Sequence, residues 1–168
     1  MANYVFLVNG NGIMLVNSNQ VVKTPLFHLF KEYGKWMQGR ALEAEVTSPI
    51  YQPTKLSAHY PNYKFPPDFQ IPQAPYLDVS VAMKDQDTIA VALVNRHRTA
   101  SAQVELHLPQ GYRPGTVWTL HHPDIFAANT FESPNTVTPA VAESNGTGTI
   151  CPPHSVSIVV CKRDGFSR

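Results

Sequence analysis

Beyond residue 76 the chain is a series of short apolar runs separated by turn-forming segments. In residues 103–108 and 155–160, apolar side chains take every second position, and a strand with this period has one buried face and one wetter face. Strands at this spacing, with no helix between them, predict a mainly β protein built as an antiparallel β-sandwich. The runs are 76–83, 88–95, 100–108, 115–122 and 154–161.

The first forty residues have a different pattern. A continuous apolar run at 4–8 is typical of a strand that is buried on both faces. Apolar residues then recur at three-to-four spacing after Pro25, which predicts a helix with Thr24 as its N-cap and Gly39 as its stop. One strand and one helix bury too little surface to fold alone, so they indicate the last βα unit of a larger structure.

The segment between these two parts is rich in proline and aromatic residues. Prolines occur seven times between residues 48 and 75, with five aromatic residues among them. Proline removes backbone donors and disfavours helix, so this segment is predicted to be a long loop. Its aromatic residues predict that it packs on a surface.

Composition excludes several classes of function. The 168 residues carry a net charge of +1 and no run of like charges, which argues against nucleic acid and anionic membranes as partners. No stretch is long and apolar enough for a membrane span, and the N-terminus lacks the basic residues of a signal peptide. We therefore expect a cytoplasmic protein. Cys151 and Cys161 are expected to be unpaired and buried, as in a reducing compartment.

Acidic side chains give no recognisable catalytic pair. Glu32 falls on the predicted helix, Glu43 and Glu45 follow it, and Glu105 falls on the polar side of a strand. We expect all four glutamate side chains to be exposed to solvent and none to be catalytic. The serines at 155 and 157 have no nucleophile elbow around them, so covalent catalysis has no support either. The sequence predicts no catalytic residue.

Metal and cofactor chemistry also lack a motif. His121 and His122 are adjacent and would point to opposite faces of a strand, and the other five histidines show no ligand spacing. Gly10 and Gly12 follow the first apolar run without the third glycine or the lysine of a phosphate loop, which predicts a turn. The Asn-Gly-Thr sequence at 145–147 is likewise predicted to be a turn. Trp36 and Trp118 fit core positions better than a sugar-stacking platform.

Several segments, in their order along the chain, match a known enzyme family. They are MAN at 1–3, LVN at 7–9, VVKTPLFHLFKEYG at 21–34, PYLDVSV at 75–81, ALVNRH at 92–97, LHHPDIFAANTFESPNTVTP at 120–139 and CPPHSVSIVV at 151–160. In these segments the chain resembles the C-terminal part of the family 51 glycoside hydrolases, the α-L-arabinofuranosidases.

The resemblance implies a fold and a division of the chain. Residues 1–41 would be the last βα unit of a (β/α)8 barrel, 42–75 a connecting strand with the proline-rich loop, and 76–168 a jelly-roll-like β-sandwich. In the family this sandwich also takes strand material from the N-terminus of the enzyme, which predicts an unpaired sheet edge here.

The resemblance also implies an activity and its location. Family members release terminal non-reducing α-L-arabinofuranosyl groups with two glutamates on earlier barrel strands, which would precede Met1. The chain alone is therefore expected to be inactive and to contain no catalytic, cofactor-binding or metal-binding residue. The place of an Ala-Gln step that contacts sugar in the family is taken by Val5 and Phe6. Arabinofuranosyl oligosaccharides would be the partners of the full-length enzyme, and a homo-oligomer is a further expectation.

Two other functions remain open. The sandwich could be a carbohydrate-binding module that uses the aromatic segment 51–69 as its platform. It could instead be an oligomerisation module without affinity for sugar.

Overall fold

A computed structural model describes residues 7–53, 71–144 and 146–165. Within these residues the chain forms one helix and twelve strands. The helix α1 is Pro25–Trp36. The strands are β1 (Met14–Val16), β2 (Val21–Lys23), β3 (Arg40–Leu42), β4 (Ile50–Tyr51), β5 (Ala74–Pro75), β6 (Leu77–Asp85), β7 (Thr88–Asn95), β8 (Ala102–Glu105), β9 (Tyr112–Leu120), β10 (Ala140–Glu143), β11 (Gly148–Cys151) and β12 (Ser155–Arg163).

The main layer is an antiparallel sheet of six strands. Its order is β10-β9-β12-β7-β6-β3, so the last strand of the chain lies in the middle. Each of the five predicted runs overlaps one strand, which confirms the mainly β antiparallel fold. The sequence pattern does not predict the other seven strands, because none is longer than four residues and so none shows a clear period.

The second layer of the sandwich is the pair β8–β11, which covers part of one face of the main sheet. A core of nine buried residues lies beneath it: Leu77, Ile89, Val91, Leu93, Val104, Val117, Cys151, Val159 and Cys161. Among the described residues, no further strand pairs with either outer edge of β8–β11. A groove of about 870 Å³ lies between this pair and β9–β10, and a second of about 860 Å³ lies between it and β6–β7.

The helix α1 covers the opposite face of the main sheet. Tyr33, Trp36 and Met37 pack against a second buried cluster, which consists of Ala90, Ala92, Trp118, Ile158 and Val160. The central strand β12 is therefore buried on both sides. A strand of this kind needs apolar or fully hydrogen-bonded side chains on both faces.

This arrangement corrects the prediction of a wetter face on β12. Ser155 and Ser157 are only 1% and 0% exposed because they face the core between the layers. Their hydroxyls are satisfied locally: Ser155 Oγ donates to the Pro152 carbonyl at 2.7 Å, and Ser157 Oγ lies 3.0 Å from Thr119 Oγ1. The side chains of β12 do alternate between the two faces of the sheet, as predicted, but the face that carries the two serines is also buried.

The ends of α1 differ in detail from the prediction. Thr24 is the N-cap residue and Pro25 the first helical residue, as expected, but the Thr24 hydroxyl donates to the Ile13 carbonyl at 2.8 Å and makes no capping bond to the helix. Helix α1 ends at Trp36, before Gly39. Gly39 has a φ of +121°, and a Cβ at this position would lie 2.3 Å from the Met83 carbonyl oxygen. Glycine is needed here because the chain passes close to β6.

Two predicted features lie wholly or largely outside the described residues. Most of the apolar strand at 4–8 lies there, and Leu7 and Val8, which are described, are exposed. Most of the proline-rich segment, including four of its five aromatic residues, lies there too. The turn at Gly10 and Gly12 is confirmed, since Gly12 N–H donates to the Asn9 carbonyl at 2.6 Å.

Both cysteines are buried and unpaired, as predicted. Burial raises the pKa of the Cys151 thiol, and it raises the pKa of the Cys161 thiol to about 12. A thiol that is protonated and inaccessible is a poor nucleophile. We expect neither cysteine to react with Ellman's reagent at pH 8 in the native protein and both to react in denaturant. Prompt release of two equivalents from the native protein would contradict this burial.

Candidate functional site

Three loops that carry the sequence motifs meet at one end of the sandwich. They are residues 96–101, 121–139 and 152–154. The contact is made by backbone and side-chain hydrogen bonds, beginning with His154 N–H, which donates to the His97 carbonyl at 2.8 Å. Segments that are far apart in sequence thus form one loop cluster, which we treat as the candidate functional site.

Asn95, at the end of β7, organises the first and third loops. It is 2% exposed. Its side-chain nitrogen lies 2.8–3.1 Å from the carbonyl oxygens of Ala100, Cys151 and Pro152. Its side-chain oxygen accepts from His97 N–H at 3.0 Å. One amide therefore satisfies backbone groups of two loops where water has little access.

His154 connects the third loop to the other two. Its Nδ1 lies 2.9 Å from the Arg98 carbonyl oxygen, and its Nε2 lies 2.7 Å from the His122 carbonyl oxygen. The ring of His121 packs against it, with centroids 5.1 Å apart. Burial lowers the pKa of His121, and the neighbouring His154 lowers it further. The lowered pKa favours the neutral form of His121.

Asn129 connects loop 121–139 to the hairpin β1–β2. Its side-chain nitrogen donates to the Lys23 carbonyl at 2.8 Å and to the Val137 carbonyl at 2.9 Å, and its oxygen accepts from Val137 N–H at 2.6 Å. Nearby, Gln20 Nε2 donates to the Phe131 carbonyl at 2.7 Å. The hairpin and the sandwich loop are thus joined by side-chain bonds from both partners.

Four of the described histidines lie close together in the loop cluster. His97, His121, His122 and His154 come together in the loop cluster, which their sequence spacing did not predict. Within 7–53, 71–144 and 146–165, however, no group of three or more His, Cys, Asp or Glu side chains could hold a metal ion. In this cluster His97 accepts backbone N–H groups at Nδ1 and His154 lies between two carbonyls.

Four of the glutamates line the two grooves. Glu43, Glu45 and Glu105 line the groove next to β6–β7, and Glu105 and Glu143 line the groove next to β9–β10. Glu32 corrects the expectation of a solvated position, since it is 9% exposed and its Oε2 accepts from Trp36 Nε1 at 3.1 Å. The prediction that no catalytic residue is present stays a prediction.

Three of the described aromatic side chains are covered by other groups, whereas Phe126, in loop 121–139, is 84% exposed. Tyr76 lies between Tyr51 and His97, with ring centroids 4.7 and 4.6 Å away. Trp118 is 5% exposed, which agrees with the expected core position. The Trp36 ring has the ammonium groups of Lys35 and Lys84 within 4.6 Å of its centroid. None of these three residues, Tyr76, Trp118 and Trp36, presents a free face to a sugar ring.

Sequence reasoning missed the two asparagines as organising residues. The signal was present, because each belongs to one of the segments that carry the resemblance, and Asn95 ends an otherwise apolar run. The sequence could not predict the hydrogen-bond partners of each side-chain amide, because the accepting carbonyls lie up to 106 positions away along the chain.

The helix α1, the one helix that the described residues form, is not long and apolar enough to cross a membrane. A comparison with curated protein sequences found no match. Solved structures are similar over most of the chain. An α-L-arabinofuranosidase from Thermotoga maritima, in complex with arabinose, has a TM-score of 0.74 and 24% identity, covering 93% of this chain and 32% of its own. A family 51 arabinofuranosidase from Xanthomonas axonopodis pv. citri has a TM-score of 0.71 and 23% identity, covering 92% and 30%.

A family 51 α-L-arabinofuranosidase from Bifidobacterium longum has a TM-score of 0.74 and 21% identity, covering 92% of this chain and 28% of its own. The chain thus spans about a third of the length of these enzymes. At such identities the likeness establishes the fold. The family model of the α-L-arabinofuranosidase C-terminal domain matches residues 1–155. The chain therefore belongs to the family of α-L-arabinofuranosidase C-terminal domains.

Proposed function

We propose that this chain is the C-terminal portion of a retaining α-L-arabinofuranosidase that releases terminal non-reducing arabinofuranosyl groups from arabinan and arabinoxylan. The observation that carries the proposal is the match of the family model over residues 1–155. The catalytic glutamates belong to a barrel that precedes this portion. The chain by itself is then inactive, and its substrates are partners of the full-length enzyme alone.

The role of the sandwich in this proposal is structural. The apolar face of α1 packs on the main sheet, so the sheet supports the last helix of the barrel. The groove between β8 and β6–β7 has a mixed lining: its floor includes apolar side chains such as Leu77, Val79 and Leu106, and Glu43, Glu45 and Glu105 also line it. A strand from elsewhere in the enzyme would bury the apolar side chains and pair with the edge of β8. This supports a chain that functions within a larger protein.

The remaining expectations form part of the same proposal. A net charge of +1 without a charged run argues against nucleic acid and membrane partners. A cytoplasmic location agrees with two unpaired thiols. A homo-oligomer of the full-length enzyme completes the proposal.

The alternative of a carbohydrate-binding module gains no support from Tyr76, Trp118 and Trp36, whose faces are covered, whereas Phe126 is 84% exposed. It predicts saturable binding of arabinan or arabinoxylan oligosaccharides at millimolar concentration, and the proposed function predicts none for the isolated chain. Titration calorimetry distinguishes the two.

The proposal is tested by activity and by depletion. The purified chain is expected to release no p-nitrophenol from p-nitrophenyl α-L-arabinofuranoside. An antibody raised against the chain is expected to remove this activity from a lysate of the source organism that hydrolyses the substrate, whereas a control antibody should not. Activity of the repurified chain, or a lysate whose activity survives complete depletion of the antigen, would overturn the proposal.

A further inference from the structure

The hairpin β1–β2 occupies a defined place in the chain. It follows the predicted strand at 4–8 and ends immediately before α1, at Lys23 and Thr24. By the sequence prediction, it is the connection from a strand to the next helix. In a (β/α)8 barrel these connections lie at the carboxyl ends of the strands, where active sites are built. This placement rests on the proposed function, which supplies the barrel.

The hairpin has few internal bonds of its own. Its strands are three residues each, and such a ribbon is marginal without further packing. The hairpin is nevertheless joined to loop 121–139 through Asn129, whose side chain is 3% exposed. The Asn129 side-chain amide donates a hydrogen bond to the carbonyl of Lys23, the last residue of β2. The side-chain amide of Gln20, in the hairpin turn, donates to the Phe131 carbonyl.

We propose that Asn129 is a positioning residue for the enzyme: it fixes the hairpin β1–β2 to the sandwich, so that the sandwich sets the position of one loop at the catalytic end of the barrel. The Asn129 side chain can do this because its other two bonds, both to Val137, fix the amide within its own loop. The nitrogen that reaches Lys23 therefore has a fixed direction.

The anchoring step is tested on this chain by amide hydrogen exchange. We expect Asn129→Ala to accelerate exchange at least about tenfold at Asn17 and Thr24, whose N–H groups donate to Gln20 and Ile13. Exchange in β7 and β12 should stay unchanged. The matched control is Asn135→Ala, which changes an exposed asparagine of the same loop and should have no effect.

A second variant covers the case in which Asn129→Ala does not fold. Asn129→Asp keeps the oxygen that accepts from Val137 N–H and loses the donor to the Lys23 and Val137 carbonyls, so it too should accelerate exchange in the hairpin. Unchanged exchange in the hairpin, or equal acceleration in β12, would overturn the proposal. Equal acceleration would make Asn129 a residue of general stability.

The catalytic-end assignment is tested separately, in the longer enzyme. Asn129→Asp is expected to raise KM for p-nitrophenyl α-L-arabinofuranoside several-fold with a smaller change in kcat, because a displaced loop at the barrel mouth weakens substrate binding. Asn135→Ala should leave both constants unchanged. An unchanged KM in Asn129→Asp would overturn the assignment even where the exchange result holds. Failure of the proposed function itself would be recognised independently, by antibody depletion that leaves the lysate activity intact.

Discussion

Replacing Ile158 by alanine is expected to lower the free energy of unfolding by about 2–5 kcal/mol. Ile158 is 0% exposed in the central strand β12, where it pairs with Ala92 and Trp118. It lies on the face that α1 covers, so the truncated side chain leaves a cavity between helix and sheet. A loss of this size is a large fraction of the stability of an ordinary domain.

The matched control is Ile150→Ala. Ile150 is 66% exposed on β11, so removal of the same atoms there should cost about 0.5 kcal/mol or less. Urea unfolding followed by tryptophan fluorescence measures the free energy of unfolding of both variants. The slope of this free energy against urea concentration is expected to be the same as in the unchanged protein. Equal losses at the two positions would contradict the packing of α1 on the main sheet.

The second large effect is expected for Asn95→Ala, with a loss of about 2–4 kcal/mol. The substitution removes the donor for three carbonyls and the acceptor for His97 N–H. These groups surround the Asn95 side chain, which is buried. Unsatisfied polar groups in such a place cost more than the bond itself contributes. Both the first and the third loops of the cluster should lose order.

Asn95→Asp separates the donor from the acceptor. The new carboxylate still accepts from His97 but places a negative oxygen against the Cys151 and Pro152 carbonyls. Because the protonated acid can donate there and the ionised one cannot, folding raises the pKa of this new carboxyl. The loss of stability should therefore be greatest at neutral pH and shrink as the pH falls. Asn19→Ala, at an exposed turn position, serves as the control for both variants. A loss at Asn95 no larger than at Asn19 would contradict the bonding described.

The sequence determined four of the six strands of the main sheet, β6, β7, β9 and β12, because their apolar pattern is local. The runs at 76–83, 88–95 and 154–161 are long enough for period-two patterning, and each holds a strand of the six-stranded sheet. The start of α1 was determined in the same way, since Pro25 fixes a helical φ and removes a donor that the first turn does not need. Membership of the family followed from local segments in their order.

The tertiary structure decided which faces are buried. Ser155 and Ser157 show a polar period in sequence, yet α1 and the pair β8–β11 cover both sides of β12, and the serines satisfy their hydroxyls inside the core. The burial of Glu32 on α1 was likewise decided by the residues that pack around it. Burial depends on what packs above a residue, and this is not encoded in the local period.

The tertiary structure alone also formed the loop cluster. Asn95 and Asn129 are unremarkable amides in sequence, and their importance lies in carbonyls contributed by distant segments, such as Pro152 and Lys23. A side-chain amide has no preferred partner until folding brings backbone groups within about 3 Å of it. The sequence therefore determined the longer strands, the helix and the family, and only the fold decided which polar residues hold the loops together.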